Sequence, residues 1–135
     1  MGWKQFIKMF SNQSVMARVF YRGLEFDVAP GVYEPAEDTF LIADNLEIRA
    51  GERVLDLGTG CGILGILSAL QGGKVTATDI NPAAIECAKQ NATHHKVADR
   101  MKFEVGDLFE PVKGEEFDLI AVSYTHLTLP TTERV

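Results

Sequence analysis

A short apolar run that ends in closely spaced glycines constrains the fold of this chain more than any other stretch. Residues 53–57 are Arg-Val-Leu-Asp-Leu, and Gly58, Gly60 and Gly62 follow at alternate positions. From Ile63 onward, apolar residues recur at helical spacing. This pattern predicts a β-strand, a tight glycine turn and an α-helix. Glycine suits the turn because the backbone bends sharply there and a ligand can approach without a Cβ atom in the way.

Two classes of ligand fit such a turn, over the free N–H groups at the start of the helix. Gly60, Gly62 and Gly65 match the G-x-G-x-x-G pattern of dinucleotide-binding proteins, which has little specificity by itself. Asp56 instead favours a cationic ligand, because a carboxylate attracts sulfonium and ammonium groups and repels a pyrophosphate. The purely structural alternative is an aspartate at a strand end that faces solvent.

The order of Asp56, Gly58, Gly60 and Gly62 resembles the first motif of the class I S-adenosylmethionine methyltransferases. The resemblance implies an α/β, Rossmann-like methyltransferase fold with S-adenosyl-L-methionine as the cofactor. It also implies that the glycines bring backbone close to the methionine part of the cofactor. Asp56 would hold the cofactor ammonium directly or through water, and Thr59 is a further candidate cofactor-binding residue.

A second informative segment precedes this strand. Residues 33–40 are Tyr-Glu-Pro-Ala-Glu-Asp-Thr-Phe. Proline followed by acidic residues is typical of a helix start, so a helix is predicted from near Pro35 to about residue 48. The residues predicted to face inward are Phe40, Leu41, Leu46 and Ile48.

The same segment resembles the one that precedes the glycine turn in the release-factor glutamine methyltransferases and their archaeal and eukaryotic relatives. In that family the segment lies over the cofactor and helps to shape the target pocket. The resemblance therefore implies that Glu37 and Thr39 contact the cofactor and that Tyr33 contacts the substrate. It further implies a protein partner, the Gly-Gly-Gln loop of a peptide-chain release factor. Helix capping alone is the alternative explanation for Glu37 and Asp38.

Two later acidic residues extend the candidate site. Asp79 ends the second predicted strand, where an acid accepts hydrogen bonds from ribose hydroxyls in nucleotide-binding folds, and its neighbour Ile80 is a further candidate. Asp107 and Leu108 follow a third predicted strand and fit the third methyltransferase motif. That fit implies that Asp107 accepts a hydrogen bond from the adenine amino group and that Leu108 covers the ring. The alternatives are a strand-end helix cap for Asp79 and an ordinary turn residue for Asp107.

Length and charge restrict the functional class. The chain has 135 residues, enough for one modest domain, and a net charge of −6. That charge makes nucleic acid an unlikely partner without excluding a local basic site. Two cysteines, no signal-peptide pattern and no apolar run of about 18 residues predict a cytoplasmic protein with no membrane partner. His94 and His95 lack further ligands at suitable spacing, so no metal site is predicted.

The end of the chain departs from the family pattern. After the fourth predicted strand, from Phe117 to Val122, glutamine methyltransferases and amino-group DNA methyltransferases carry an Asn-Pro-Pro-Tyr-type motif. Its asparagine and proline oxygens aim the acceptor nitrogen at the cofactor methyl group. This chain has Val-Ser-Tyr-Thr-His at 122–126 instead, so we predict no catalytic residue.

Residues 122–132 are similar, in register, to one reading frame of the transposase adapter used to build sequencing libraries. We therefore expect that a natural gene was joined to adapter sequence and that the chain is an inactive fragment of its parent enzyme. The alternative is a natural threonine-rich tail. The chain is predicted to have three parts. Residues 1–31 form an N-terminal helix (Met1 to Ser14) and a hairpin (Ala17 to Val28) that turns at Gly23. Residues 32–121 form a partial S-adenosylmethionine-binding domain, truncated after about four strands, and residues 122–135 are a non-native tail.

Besides a non-catalytic binding domain, two enzymatic alternatives stay open at the level of sequence. One is a methyltransferase of the same fold that acts on a nucleic-acid adenine or another substrate. The other is an NAD-type oxidoreductase, which only the glycine spacing from Gly60 to Gly65 favours. In addition, the fourth strand is predicted to have an unpaired outer edge and the core to be incomplete, so the chain is expected to fold poorly or aggregate.

Overall fold

The computed structural model describes the backbone of residues 4–11, 14–107, 109–122 and 131–134, with side chains for 17–107 and 109–122. Short 3-10 helices lie at Ala98–Arg100 and Glu110–Val112. The strands and α-helices, in chain order, are β1 (Lys4–Ser11), β2 (Ser14–Tyr21), β3 (Leu24–Val28), α1 (Glu37–Asp44), β4 (Arg53–Leu57), α2 (Ile63–Leu70), β5 (Lys74–Asp79), α3 (Pro82–His94), β6 (Met101–Val105), β7 (Leu119–Val122) and β8 (Thr131–Arg134).

The larger sheet has the strand order β6-β5-β4-β7-β8, and β4 lies between two parallel neighbours. Strands β6, β5, β4 and β7 are parallel, and helices α2 and α3 connect β4 to β5 and β5 to β6. A parallel sheet with helical connections is the predicted α/β fold, which is confirmed. The strand and helix predicted around the glycine turn are also confirmed.

The two faces of this sheet have different partners. Residues in register across paired parallel strands share a face, so Val54 lies with Val75 and Leu119, while Leu55 lies with Ile120. The first face packs against the helices and forms the main core. The second face carries a smaller apolar cluster of Leu55, Leu57, Val112 and Val122, with Phe117 and Ile120 partly buried against it.

A separate antiparallel sheet of β1, β2 and β3 precedes the larger one. The predicted hairpin is confirmed, and its two turn residues, Arg22 and Gly23, have φ angles of 49° and 84°. Positive φ at both positions suits the right-handed twist of the two strands. The sheet packs on α3 through the main core, to which Val19, Phe26 and Val28 contribute.

The helix predicted from Met1 to Ser14 is wrong. Residues 4–11 form β1, which pairs with β2 in register from Lys4 opposite Tyr21 to Ser11 opposite Ser14. The apolar spacing in this segment does fit a helix, but a short isolated helix is marginal in water. Backbone hydrogen bonds to an adjacent strand therefore decide its structure.

Helix α1 is shorter than predicted and ends at Asp44 rather than near residue 48. The Asn45 side chain donates to the Leu41 carbonyl at 2.8 Å, which competes with continued helix. Beyond it, Gln71 accepts from the backbone N–H of Ile48 at 2.9 Å and donates to the Leu46 carbonyl at 3.1 Å. Of the four residues predicted to face inward, Phe40, Leu46 and Ile48 are buried and Leu41 is 63% exposed.

The expectation that the fourth parallel strand has an unpaired outer edge is also wrong. Strand β8 pairs with β7 in antiparallel register, from Leu119 opposite Arg134 to Val122 opposite Thr131. Residues of the predicted non-native tail thus satisfy the N–H and C=O groups of that edge. Within the part of the chain that the structure describes, no helix has the length and apolar character needed to cross a membrane.

The smaller apolar cluster on the second sheet face is buried, but Ile120 and Phe117 are only partly buried against it and Phe109 beside it is 51% exposed. We therefore expect the 135-residue chain to melt broadly or aggregate on heating. Replacing Ile120 by threonine should reduce aggregation, because it removes apolar surface from this face. Val105→Thr, on the opposite edge strand, is the matched control. Light scattering during a thermal melt measures both, and a sharp two-state transition above room temperature contradicts the expectation.

Candidate active site

The turn between β4 and α2 requires its glycines. Gly58, Gly60 and Gly62 have φ angles of 74°, 56° and 92°, a region that residues with a side chain rarely adopt. The Gly62 N–H donates to the Thr59 carbonyl at 2.8 Å, which closes the turn. A Cβ atom on Gly62 would lie 2.9 Å from the Cβ of Ala88, so the turn rests directly on α3.

The Asp56 carboxylate ties this turn to the helix that follows. Its Oδ2 accepts from the Thr59 hydroxyl at 2.7 Å and from the Gly65 N–H at 2.9 Å. Gly62 at the start of α2 has no side chain, so Asp56 satisfies an N–H that the helix leaves without a partner. The side chain is 1% exposed and faces the turn and α2.

Burial raises the pKa of Asp56 from 3.8 to about 6, because desolvation penalises the carboxylate. The hydrogen bonds from Thr59 and Gly65 oppose this shift, and the charge of Asp79 adds to it. Its Oδ1 atom is buried and has no hydrogen-bond partner among the described residues. That Asp56 holds a ligand ammonium stays a prediction.

Gly65 has a packing role that accounts for the dinucleotide-like spacing. A Cβ atom there would lie 3.0 Å from Asp56 Oδ2, 3.1 Å from Met101 and 3.2 Å from Val75. Glycine at this position lets α2 approach the sheet closely. The third glycine of the G-x-G-x-x-G pattern therefore has a structural reason that requires no dinucleotide.

Asp79 connects the glycine turn to the start of α3. Its Oδ2 accepts from the Gly60 N–H at 2.9 Å, and its Oδ1 accepts from the Asn81 N–H at 2.9 Å. The neighbouring Thr78 carbonyl accepts from the Thr59 N–H at 2.8 Å. These bonds attach the turn to the end of β5, and they leave each Asp79 oxygen with further acceptor capacity.

A cavity of about 320 Å³ opens beside Asp79. Tyr33 and Ile80, which are 51% and 60% exposed, border it as apolar side chains. Tyr33 also lies against the turn, since a Cβ on Gly60 would be 3.5 Å from its carbonyl oxygen. The residues lining the cavity are Gly31, Val32, Tyr33, Gly58, Asp79, Ile80, Asn81 and Ala84.

Of the predicted site residues, Tyr33, Gly58, Asp79 and Ile80 line this cavity, whereas Asp56, Thr59, Gly60 and Gly62 belong to the strand and turn beside it without lining it. Glu37, Thr39 and Asp107 do not line it either. Glu37 is exposed in the first turn of α1, and the Thr39 hydroxyl accepts from the Ala36 N–H at 3.4 Å. Asp107 is exposed and lines a separate cavity of about 910 Å³ that extends along the second sheet face. Leu108 lies outside the described residues. The roles of Glu37, Thr39, Asp107 and Leu108 stay predictions.

Sequence reasoning missed Asn91, whose side chain is buried in α3 and bonded to backbone on two sides. Its signal was a polar residue within the apolar stripe of that helix, beside Ala88 and Ala92. Asn81 is a second site neighbour that the candidate residues did not include. It caps α3 by accepting from the Ala83 N–H at 3.0 Å, and its amide also donates to the Gly31 carbonyl at 3.1 Å.

Residues 24–123 match a protein family described as the methyltransferase small domain. A protein of Methanocaldococcus jannaschii named as an N5-glutamine methyltransferase is 40% identical over 112 residues, which cover 82% of this chain and 54% of the relative. A release factor glutamine methyltransferase of Aquifex aeolicus is 41% identical over 104 residues, covering 73% and 37%. The chain thus spans about half or less of the length of these relatives.

The structure is also similar to that of an RNA methyltransferase from Salinibacter ruber, solved in complex with S-adenosyl-L-homocysteine. The TM-score is 0.57 at 27% identity, and the match covers 67% of this chain and 60% of the other. A Rossmann-like methyltransferase fold, expected from the sequence, is therefore confirmed.

Asp56→Asn should change how stability depends on pH. Because the pKa of folded Asp56 lies at about 6, above its ordinary 3.8, the carboxyl contributes most stability when protonated and loses that contribution as pH rises to about 6. The melting temperature of the original chain minus that of the variant should therefore fall between pH 4 and 6 and stay constant above about 7. Thermal melts across this range measure it, with exposed Asp99→Asn as the control. A flat difference contradicts the burial argument.

Proposed function

The chain belongs to the methyltransferase small domain family, and we propose that it forms the cofactor-binding part of an S-adenosylmethionine-dependent N-methyltransferase. The observation that carries this proposal is the glycine turn, which Asp56 and Asp79 hold from two sides next to an open cavity. Among the residues that the structure describes, neither carboxylate has a cationic side chain as its hydrogen-bond partner. The site is therefore suited to a ligand that brings its own positive charge.

S-adenosylmethionine is the cofactor that the comparisons support, and when bound it supplies an electrophilic methyl group on a sulfonium centre. The described residues fit such a ligand. Each oxygen of Asp79 can accept a further hydrogen bond from a ribose hydroxyl. Tyr33 and Ile80 provide apolar surface at the same cavity. Gly58 of the glycine turn lines the cavity, so its backbone can approach the methionine part.

The remaining site residues are proposed from the family resemblance. Asp107 and Leu108 would contact the adenine, and Glu37 and Thr39 would contact the cofactor from the α1 side. Tyr33 would also border the target pocket. Asp56 would contribute by holding the turn in position, because its carboxylate is buried against Thr59 and α2.

A nicotinamide dinucleotide fits this site less well. Its pyrophosphate is anionic, and the Asp56 carboxylate lies within hydrogen-bond distance of the turn that would have to hold it. Asp79 does not separate the two ligands, because both carry a ribose. Gly65 in the dinucleotide pattern is accounted for by close packing on Asp56 and Val75. The family match and the geometry both favour the methyltransferase over the oxidoreductase.

We propose a glutamine side chain in a peptide-chain release factor as the methyl acceptor. The support is the naming of two relatives, at 40% and 41% identity, as glutamine methyltransferases. An amide nitrogen is a poor nucleophile because its lone pair is delocalised, so its orientation would provide most of the rate enhancement. The residues that would orient it are expected after β7, where this chain has Val-Ser-Tyr-Thr-His at 122–126. We therefore assign no catalytic residue.

A nucleic-acid adenine is the second candidate acceptor, favoured by the likeness to an RNA methyltransferase. The net charge of −6 disfavours it, since phosphate binding needs a basic surface. A cytoplasmic location and the non-native tail at 122–135 stay predictions.

Asp79→Asn should weaken binding of S-adenosylhomocysteine about tenfold. The amide NH2 of the variant would face a backbone N–H at Gly60 or Asn81, so one hydrogen bond is lost and the turn shifts. Isothermal titration of the full chain measures the dissociation constant. Asp99→Asn is the matched control, and NAD titrated in parallel should not bind. Tight binding of NAD, or no binding of S-adenosylhomocysteine by the original chain, contradicts the proposed cofactor.

The proposed acceptor is tested through the natural gene. We expect a genomic read from the Glu115 codon to continue past Ala121 into an Asn-Pro-Pro-type motif. The protein encoded by that frame should transfer labelled methyl groups to a release factor and not to a release factor whose Gly-Gly-Gln glutamine is replaced by alanine. A natural gene that encodes 122–135 and stops would instead indicate a cofactor-binding remnant. Equal labelling of both release factors would refute the assigned acceptor.

A further inference from the structure

Asn91 occupies an unusual position for a polar side chain. It lies in the third turn of α3 and is only 4% exposed, among apolar residues that include Ala88 and Ala92. Burying an amide is costly unless its donors and acceptor find partners. A residue of this kind is therefore expected to specify an arrangement that an apolar residue could not.

The Asn91 carboxamide bonds to backbone from two separate segments. Its Oδ1 accepts from the Asp27 N–H at 3.0 Å, and its Nδ2 donates to the Asp27 carbonyl at 2.8 Å. The same Nδ2 donates to the Cys61 carbonyl at 2.8 Å. Because one partner is an N–H and two are carbonyls, the orientation of the amide is unambiguous. Asn91 thus joins β3 to the glycine turn.

The contact with Cys61 fixes a peptide unit within the turn. The peptide group is planar, so holding the Cys61 oxygen also orients the Gly62 N–H on its other side. That N–H donates to the Thr59 carbonyl at 2.8 Å. The peptide is therefore held at both ends, and the turn has little freedom to rotate away from the ligand side.

The contact with Asp27 fixes the segment that leads to the cavity. Asp27 is the next-to-last residue of β3, and the chain continues from there through Gly31 to Tyr33. Asn81, at the start of the same helix, donates to the Gly31 carbonyl at 3.1 Å. Side chains from α3 and its N-cap therefore hold this segment at two points, Asp27 and Gly31. The Asn91 side chain that holds Asp27 also bonds to Cys61 in the turn.

We propose that Asn91 is a positioning residue for cofactor binding. Its single carboxamide holds the glycine turn and β3 in one arrangement, so that the turn and the Tyr33 segment face the cavity together. The proposal rests on the proposed function, because it takes S-adenosylmethionine as the ligand of that cavity. Asn91 itself touches neither the cavity nor the ligand.

The test uses the isosteric variant Asn91→Asp in the full chain. It keeps the acceptor for the Asp27 N–H and replaces both donors by an oxygen that faces two carbonyls. We expect the dissociation constant for S-adenosylhomocysteine to rise at least about tenfold, measured by titration calorimetry below the melting onset of every variant. The control is Val97→Ala, a fully buried core residue that lies between α3 and β6 in the chain and outside the turn.

The control should lower the melting temperature and leave the affinity within about twofold. If Asn91→Asp lowers the melting temperature but binds S-adenosylhomocysteine as tightly as the original chain, Asn91 is only structural and the proposal is wrong. If the original chain binds no S-adenosylhomocysteine, the proposed cofactor itself fails. The two failures are thus distinguishable.

A second measurement on the original chain covers the case in which Asn91→Asp does not fold. Hydrogen exchange with and without S-adenosylhomocysteine reports the protection of individual segments. The ligand should slow exchange in the turn (58–62) and, through Asn91, at the Asp27 amide of β3 by a similar factor. Protection confined to the turn would overturn the proposal.

Discussion

The buried carboxylate of Asp56 is the interaction on which the rest of the site depends. It sits one residue before the end of β4 and accepts from the Thr59 hydroxyl and from the Gly65 N–H, so a single side chain joins strand, turn and helix. Removing a carboxylate from water is unfavourable, which is why the pKa of Asp56 rises to about 6. The two hydrogen bonds offset part of that cost. These bonds hold the turn in place before a ligand binds, so the entropy cost of ordering the turn on binding is smaller.

Helix α3 has a corresponding role on the other side of the turn. Asp79 precedes α3, Asn81 caps its start, and Asn91 lies in its third turn. Each of these side chains bonds to backbone outside the helix. These side chains bring the antiparallel N-terminal sheet and the parallel sheet to one cavity. Close contact between the turn and Ala88 leaves no room for a side chain at Gly62. The candidate site is therefore a property of how α3 packs and does not reside in the glycine turn alone.

The two faces of the larger sheet differ in how α-helices cover them. The face that carries Val54 and Leu119 is buried beneath α2 and α3. On the face that carries Leu55 and Ile120, Val112 and Phe117 pack among the described residues, without a covering α-helix. Strand β8 satisfies the backbone groups at the edge of β7 but cannot cover a face. The chain spans only part of the length of its glutamine methyltransferase relatives. Edge pairing and face coverage are separate requirements, and this chain meets the first better than the second.

Local pattern in the sequence determined the parallel α/β unit, because its signals are short-range. Apolar runs and alternate glycines act within a few residues, and they correctly predicted β4, the start of α2 and the end of β5 at Asp79. Tertiary contacts decided the rest. Residues 4–11 form a strand because they pair with β2. Helix α1 ends early because the Asn45 side chain bonds to the Leu41 carbonyl and the distant Gln71 bonds to the backbone of Ile48. The grouping of Tyr33 with Asp79, and the bridge made by Asn91, join residues far apart in sequence, and no local pattern encodes which of those distant groups will meet.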